Sequence, residues 1–372
     1  MKASIHLGRV WNIPIGLHTS WFIIFALITF SLGTGYFPEQ YPQLNAFSSV
    51  VLAVLTSLLF FGSVLAHELG HSFVALRNKI PVKGITLFVF GGVAQIEKEP
   101  DSPGAEFRIA IAGPLVSLAL GAVFLALGNY WGDILLISAP SLYLARINLM
   151  LALFNLIPGF PLDGGRVFRA LLWGITKSFE KATRWASASG QLVAFGFIGV
   201  GIFSMFSGDI TNGLWLVFIG WFLQSAASSA TRQLTVKNKL QGVTVADAMS
   251  RDCVEVHGLT TLNQLVQDYV LKGGQHCFFI KGYDGEISGM LTLQDITRVP
   301  QMQWRYITAE QRMAPLARMM QLEADTDLLE ALKIMEAGNI SEAPVMRQNN
   351  PIGLLSKDQV LRYLQLRAKL GM

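Results

Sequence analysis

Residues 47–76 read FSSVVLAVLTSLLFFGSVLAHELGHSFVAL and are closed by Arg77. The run is longer than the roughly 20 apolar residues that cross a bilayer as a helix. Near its end stands His67-Glu68-Leu69-Gly70-His71. On a helix, side chains four apart share a face, so both imidazoles project the same way. That spacing suits two nitrogen ligands on one Zn²⁺ ion. Glu68 stands one step round from His67. It is placed to act as general base on a water at the metal without ligating it. The alternative is that both histidines are satisfied polar residues in a helix interface. A His-Glu pair inside a membrane-length run is costly unless it is used.

The 372 residues are 52% hydrophobic and 15% charged, against about 25% charged in an ordinary soluble protein. The deficit is confined to residues 1–231, whereas 232–372 has the composition of a soluble domain. The net charge of +4 comes largely from Lys and Arg beside apolar runs. Membrane flanks therefore explain it better than a nucleic-acid partner, and none is expected. Cys253 and Cys277 form neither a metal knuckle nor a disulfide framework. They are expected to be buried free thiols in a reducing compartment. No cleavable signal pattern is seen at the N-terminus.

Six spans are expected, at residues 17–32, 47–76, 109–127, 134–157, 192–206 and 213–227. The connecting segments alternate in charge. Lys2 and Arg9 precede the first span, and 35–46 carries no Lys or Arg. Arg77, Lys79, Lys83, Lys98 and Arg108 follow the second, and 129–133 carries none. Arg166, Arg169, Lys177, Lys181 and Arg184 follow the fourth, 207–212 carries none, and Arg232, Lys237 and Lys239 follow the sixth. The alternation predicts both termini in the cytoplasm. A bacterial inner membrane or an organelle equivalent is the expected setting.

Residues 84–96 are β-branched and aromatic, with a turn expected at Gly91-Gly92. They predict a short hairpin or sheet at the cytoplasmic mouth. It reads either as an edge that receives an extended peptide or as a packed re-entrant loop. Gly113-Pro114, opening the third span, allows close helix approach and a local break. In the fourth span, Arg146 reads as a gate, as the partner of an acidic group, or as a structural residue facing a cavity. Residues 155–166, NLIPGFPLDGGR, break the helix with two prolines and three glycines. A catalytic zinc takes three protein ligands. Among the few acidic candidates, Asp163 stands in a rigid Gly/Pro frame on the same side of the membrane as the histidines. It is taken as the third ligand.

The His-Glu-Leu-Gly-His motif, followed about ninety residues later by Asn155-x-x-Pro-x-x-Pro-Leu-Asp163-Gly-Gly, resembles the site-two protease family of intramembrane zinc metalloproteases. Gly113-Pro114 fits the same family, and the resemblance covers residues 1–231. It implies that His67, His71 and Asp163 ligate one zinc per subunit, with Glu68 as base. Asn155 is then a substrate-contacting residue or one that supports the ligands. The implied activity is regulated intramembrane proteolysis of membrane proteins with a transmembrane segment. Residues 243–372 carry an internal repeat: Met249 aligns with Met313, and Gly289-Met290-Leu291-Thr292 with Gly353-Leu354-Leu355-Ser356. Helices are expected at 262–271 and 328–335, and strands at 277–281 and 343–346. The repeat resembles a pair of CBS domains, a type that often binds adenine nucleotides. The family's hydroxyl-then-Asp signature falls on Thr292 and Asp295. In the second copy Ser356 and Asp358 are one residue too close. Dimerisation or a scaffold role without a ligand is the alternative for this module.

The expected architecture is a multi-pass α-helical membrane protein with a short membrane-associated β element, plus a soluble α/β tandem CBS module. Its domains are a metalloprotease domain at 1–231, a linker at 232–242, and CBS repeats at 243–300 and 301–372. Two rival functions stay open: a zinc hydrolase of lipid-linked substrates, and a CBS-regulated membrane transporter. The transporter predicts inverted repeats among the spans, and none is seen.

Overall fold

The computed structural model describes residues 4–240 and 242–370, with only the backbone at 230, 232–239 and 368. Lys2, counted above as a flanking charge, lies outside the described residues, as do the side chains of Arg232, Lys237 and Lys239. The chain divides into two compact units, Met1–Arg232 and Gln233–Met372.

The first unit opens with a hairpin, β1 (Ile5–Val10) and β2 (Ile13–Leu17). Its two-residue turn uses Trp11 and Asn12, both at positive φ. α1 (Ser20–Ser31) follows and passes through a π-helical turn, Leu32–Tyr36, into α2 (Phe37–Gln40). Then come α3 (Ala46–Arg77), β3 (Val82–Phe88), β4 (Gly91–Ile96), α4 (Pro103–Tyr130) and α5 (Leu135–Asn155). The amphipathic α6 (Asp163–Thr176), α7 (Phe179–Phe206) and α8 (Ile210–Leu240) complete the series. Among the described residues, six helical segments are long and apolar enough to cross a membrane: Ser20–Gln40, Ala46–Arg77, Pro103–Tyr130, Leu135–Asn155, Phe179–Phe206 and Ile210–Ser229. The protein is an integral membrane protein.

Capping explains where these helices begin. The Asn45 side chain accepts from Ser48 N at 2.8 Å and starts α3, while Ser102 and Ser178 do the same for α4 and α7. α7 therefore begins at Phe179, well before the predicted start at residue 192, because its first turns are polar. Leu17, predicted inside the first span, ends β2 instead. α4 runs unbroken through Pro114. The expected local break is absent, and Pro114 only removes one backbone donor.

The predicted hairpin is larger than expected. β1-β2-β3-β4 form one four-stranded sheet, with β2 and β3 parallel and the other pairs antiparallel. Its second turn falls at Val89-Phe90, one step before the expected Gly91-Gly92, and both glycines lie in β4. β4 forms one edge of the sheet.

The second unit holds α9 (Val245–Ala248), β5 (Cys253–His257), α10 (Leu262–Gln264), a π turn (Leu265–Val270), α11 (Leu271–Gly273), β6 (Cys277–Lys281), β7 (Ile287–Thr292) and α12 (Leu293–Thr297). Next are α13 (Ala309–Arg312), β8 (Ala314–Pro315), β9 (Leu322–Glu323), α14 (Leu328–Ala337), β10 (Glu342–Arg347), β11 (Asn350–Ser356) and α15 (Lys357–Lys369). The sheets run β5-β6-β7-β8 and β11-β10-β9. The copies exchange their leading segments. Val245 and Ala248 of α9 are buried with Leu328, Met335 and Leu355 of the second copy. Ala309 of α13 is buried with Leu262, Phe278 and Leu291 of the first. The linear ranges 243–300 and 301–372 do not convey this exchange.

One expectation is corrected here. Cys253 and Cys277 are not free thiols but a disulfide, since they face each other across the parallel pair β5/β6 with Cα atoms 4.6 Å apart. A separation of 24 residues hid that register. The departure read in the second copy is seen in the structure as well: the position equivalent to Asp295 is held by Gln359. Ser356 Oγ accepts from Gln359 N at 3.2 Å, as Thr292 Oγ1 accepts from Asp295 N at 3.4 Å.

Candidate metal centre and peptide cavity

α3 brings His67 and His71 onto one buried face, each 4% exposed. Asp163, the first residue of α6, meets them from across the unit, its Oδ2 3.1 Å from each Nε2. The two Nε2 atoms are 3.2 Å apart. The second nitrogen of each ring is engaged elsewhere. His71 Nδ1 lies 2.7 Å from the Ile109 carbonyl oxygen. A carbonyl only accepts, so Nδ1 carries the proton and Nε2 keeps a lone pair. His67 Nδ1 lies 2.9 Å from Ser117 Oγ, which can accept in the same way. Three acceptor atoms then crowd one point with no proton between them. A cation satisfies all three. Their mutual distances also approach the edge, roughly 3.3 Å, of a tetrahedron built with zinc–nitrogen bonds of about 2.0–2.1 Å.

Gly113 keeps this point open. A Cβ there would overlap Nε2 of both histidines. Two turns earlier on α4, Glu106 is fully buried and accepts from Arg169 Nε of α6 at 2.7 Å. A second contact comes from Arg169 Nη2. The Arg169 guanidinium is held between the rings of Phe160 and Phe179, at 4.9 and 4.5 Å. This pair ties α6, and with it Asp163, to α4. Such a pair is fixed in place because separating two buried charges is costly.

Glu68 is half-buried. Its carboxylate sits beside the Ala94 backbone amide of β4, and a Cβ at Gly92 would overlap its Cγ. One cavity of about 620 Å³ is lined by His67, His71, Asp163, Glu68 and Asn155, and by residues 91–94 of β4. The Val89-Phe90 turn leans on α8, with the Phe90 ring stacked on Phe222 at 4.4 Å. The five predicted site residues of the first unit therefore share one cavity. Arg146 is exposed and makes no ion pair with any described residue. Asn148, in the same helix, is buried and donates to Ser63 Oγ at 3.2 Å.

In the second unit, Thr292 and Asp295 bond to each other. Thr292 Oγ1 and N donate to Asp295 Oδ2 at 2.9 and 3.2 Å, forming the capping box of α12.

Sequence reasoning did not find Ser117, Glu106, Arg169 or Arg166 as parts of this region. Ser117 had a usable signal, because it stands four residues after Gly113 on the same helix face. Glu106 and Arg169 had none, since nothing local pairs them.

This fold and donor set are those of a membrane metallopeptidase, and comparison with known proteins gives the family. The pattern of peptidase family M50 matches residues 55–135 and 133–197. That of the CBS domain matches residues 317–366. A putative zinc metalloprotease of Synechocystis sp. is 37% identical over 376 residues, 99% of this chain and 97% of the relative. A putative zinc metalloprotease of Mycobacterium tuberculosis, Rip3, is 36% identical over 80% of this chain and 77% of its own length. The solved site-2 protease of Methanocaldococcus jannaschii is 31% identical, with a TM-score of 0.41, over 61% of this chain and 95% of that one. The chain belongs to peptidase family M50 and is a zinc metalloprotease.

Proposed function

We propose that this protein hydrolyses peptide bonds in or near the transmembrane segments of membrane proteins. One observation carries the reading: three convergent acceptor atoms, Glu68 and the edge of β4 open on a single cavity within a membrane unit. His67, His71 and Asp163 would hold zinc, which when bound there would supply Lewis-acid chemistry toward a carbonyl and a water. Glu68 takes the proton of the attacking water and delivers it to the departing amine. A helical substrate buries its carbonyls in hydrogen bonds, so the segment enters unwound. It pairs as an extended strand with the outer edge of β4, and Asn155 contacts it from the end of α5.

The site lies in the cytoplasmic half of the bilayer, with both termini in the cytoplasm. His67 is ten positions before Arg77 on α3, about 15 Å at the helical rise. The CBS module regulates access to the site, through an adenine nucleotide or through pairing of two copies. It is not needed for the chemistry, because every candidate ligand and the base precede it.

The test is zinc content together with cleavage of a single-pass membrane protein, beside a lipid-linked substrate carrying no transmembrane peptide. Cleavage of the first alone supports the reading. Turnover of the second alone rejects it in favour of a lipid-linked hydrolase.

A further inference from the structure

Arg166 also lines the cavity, one turn after Asp163 on α6. It is half-buried and forms no hydrogen bond or ion pair with any described residue. Its neighbour Arg169, one turn further on, spends its guanidinium on Glu106. The two arginines are thus used differently. One is locked into the protein and the other is left facing open space.

A guanidinium has five N–H donors in a fixed fork, no acceptor, and a permanent charge. Held in a largely apolar cavity with its own donors unbonded, it is costly until something entering the cavity brings acceptors within reach of the fork. An extended peptide brings a row of carbonyl oxygens. When such a strand pairs with β4 along one edge, its other edge keeps unpaired C=O groups. In a membrane interior these need donors, because no bulk water is there to supply them.

We propose that Arg166 binds the outward-edge carbonyl oxygens of the substrate segment and so clamps it against β4. The inference rests on the peptidase reading above and adds the second wall of its substrate channel. The recognised group is backbone, so the contact tolerates any apolar side-chain sequence. Lysine, with a point charge and no fork, replaces it incompletely.

The experiment uses the full-length, zinc-loaded protein in detergent micelles. Binding of a fluorescent single-pass substrate is measured in the inactive Glu68→Gln background, with and without Arg166→Gln or Arg166→Lys. Zinc content and melting temperature are followed in each, and wild type is assayed for cleavage of the same substrate. Arg166→Gln is expected to raise Kd about tenfold or more at unchanged zinc content, with Arg166→Lys between the two. The loss persists when the substrate segment is all leucine. An unchanged Kd in a folded, zinc-loaded Arg166→Gln protein overturns the proposal. So does a loss seen only for substrates with acidic side chains, since the fork would then read a side chain. Should Arg166→Gln fail to hold zinc, Arg166→Lys decides: weaker binding at full zinc supports the clamp, and wild-type Kd rejects it. If wild type neither binds nor cleaves any transmembrane peptide, the peptidase reading fails and the clamp with it.

Discussion

His67 and Asp163 are 96 residues apart in sequence and 3.1 Å apart in space; Thr292 and Asp295 are three apart in sequence and 2.9 Å in space. The contrast runs through both units. In the membrane unit, polar side chains bond across the chain: His67 to Ser117, Asn148 to Ser63, Arg169 to Glu106. In the soluble unit they serve the turn they stand in, as Thr244 with Asp247, Thr261 with Gln264 and Ser356 with Gln359 do. The physical reason is the length of the helices. A membrane-spanning helix satisfies nearly all its backbone groups internally, so the local partner open to a polar side chain along it is a carbonyl one turn back, as Leu59 O is for Ser63 Oγ and Leu144 O for Asn148 Nδ2. Its remaining hydrogen-bonding capacity must meet a distant partner or a ligand. The CBS helices are short, so their unpaired ends are a large share of each helix, and hydroxyls and carboxylates are drawn to them.

Variants that break the long-range set should have the largest effects. Glu68→Gln is expected to lower proteolysis about 10³-fold while zinc content by mass spectrometry stays at the wild-type value. Loss of zinc in this variant would make Glu68 a ligand and reject its role as base. Gly113→Ala puts a methyl group where both Nε2 atoms point. It should weaken zinc affinity about 10–100-fold, read by competition with a chelator. Arg169→Met leaves Glu106 charged and buried, and should destabilise the membrane unit by about 3–5 kcal/mol. Adding Glu106→Leu should recover much of that loss in thermal unfolding. A double variant as unstable as the single would mean that packing, not charge, holds α6.

The local set should respond more weakly. Thr292→Ala removes one side of the α12 capping box, at about 1 kcal/mol. The loss should appear as faster amide exchange in α12, with zinc content unchanged. The smallest effect concerns Glu342, on β10. Burial holds its carboxyl above the ordinary carboxylate value, opposed by the neighbouring Thr292 side chain and assisted by Asp295 and Asp358. A raised value in an acid means that the fold favours the protonated form. Its contribution is therefore full below the unfolded carboxylate range and is lost as pH rises through the folded value. Glu342→Gln should remove that slope. A melting temperature for the second unit with the same pH profile as wild type would show that the carboxyl is not the cause.

The same contrast sets how far the sequence could be read. The six apolar runs, the β-rich segment at 84–96 and the 64-residue offset between the CBS copies were legible, because periodicity and composition are local. The pairing of His67 and His71 was legible for the same reason. Asp163 was reached by elimination, and the cavity it shares with the histidines and Glu68 comes only with the fold. The Glu106–Arg169 pair was not legible, since each residue alone reads as a charge near a membrane boundary. Nor was the disulfide, because neither cysteine's surroundings disclose that β5 and β6 align in register. The N-terminal hairpin was missed for a different reason. Trp11 at positive φ is an unusual turn residue, and nothing in the stretch reads as Asn-Gly or Asp-Gly.

The exchange of α9 and α13 between the CBS copies bears on how this module can be handled. Each copy's core contains a helix that precedes the other copy in the chain. A cut between the copies would leave each half with a helix that has no home and a groove that has no helix. Two such fragments are complementary, and their natural behaviour is to find each other. Mixed together they should rebuild the original pair, while either one alone should self-associate by lending its stray helix to a sister fragment.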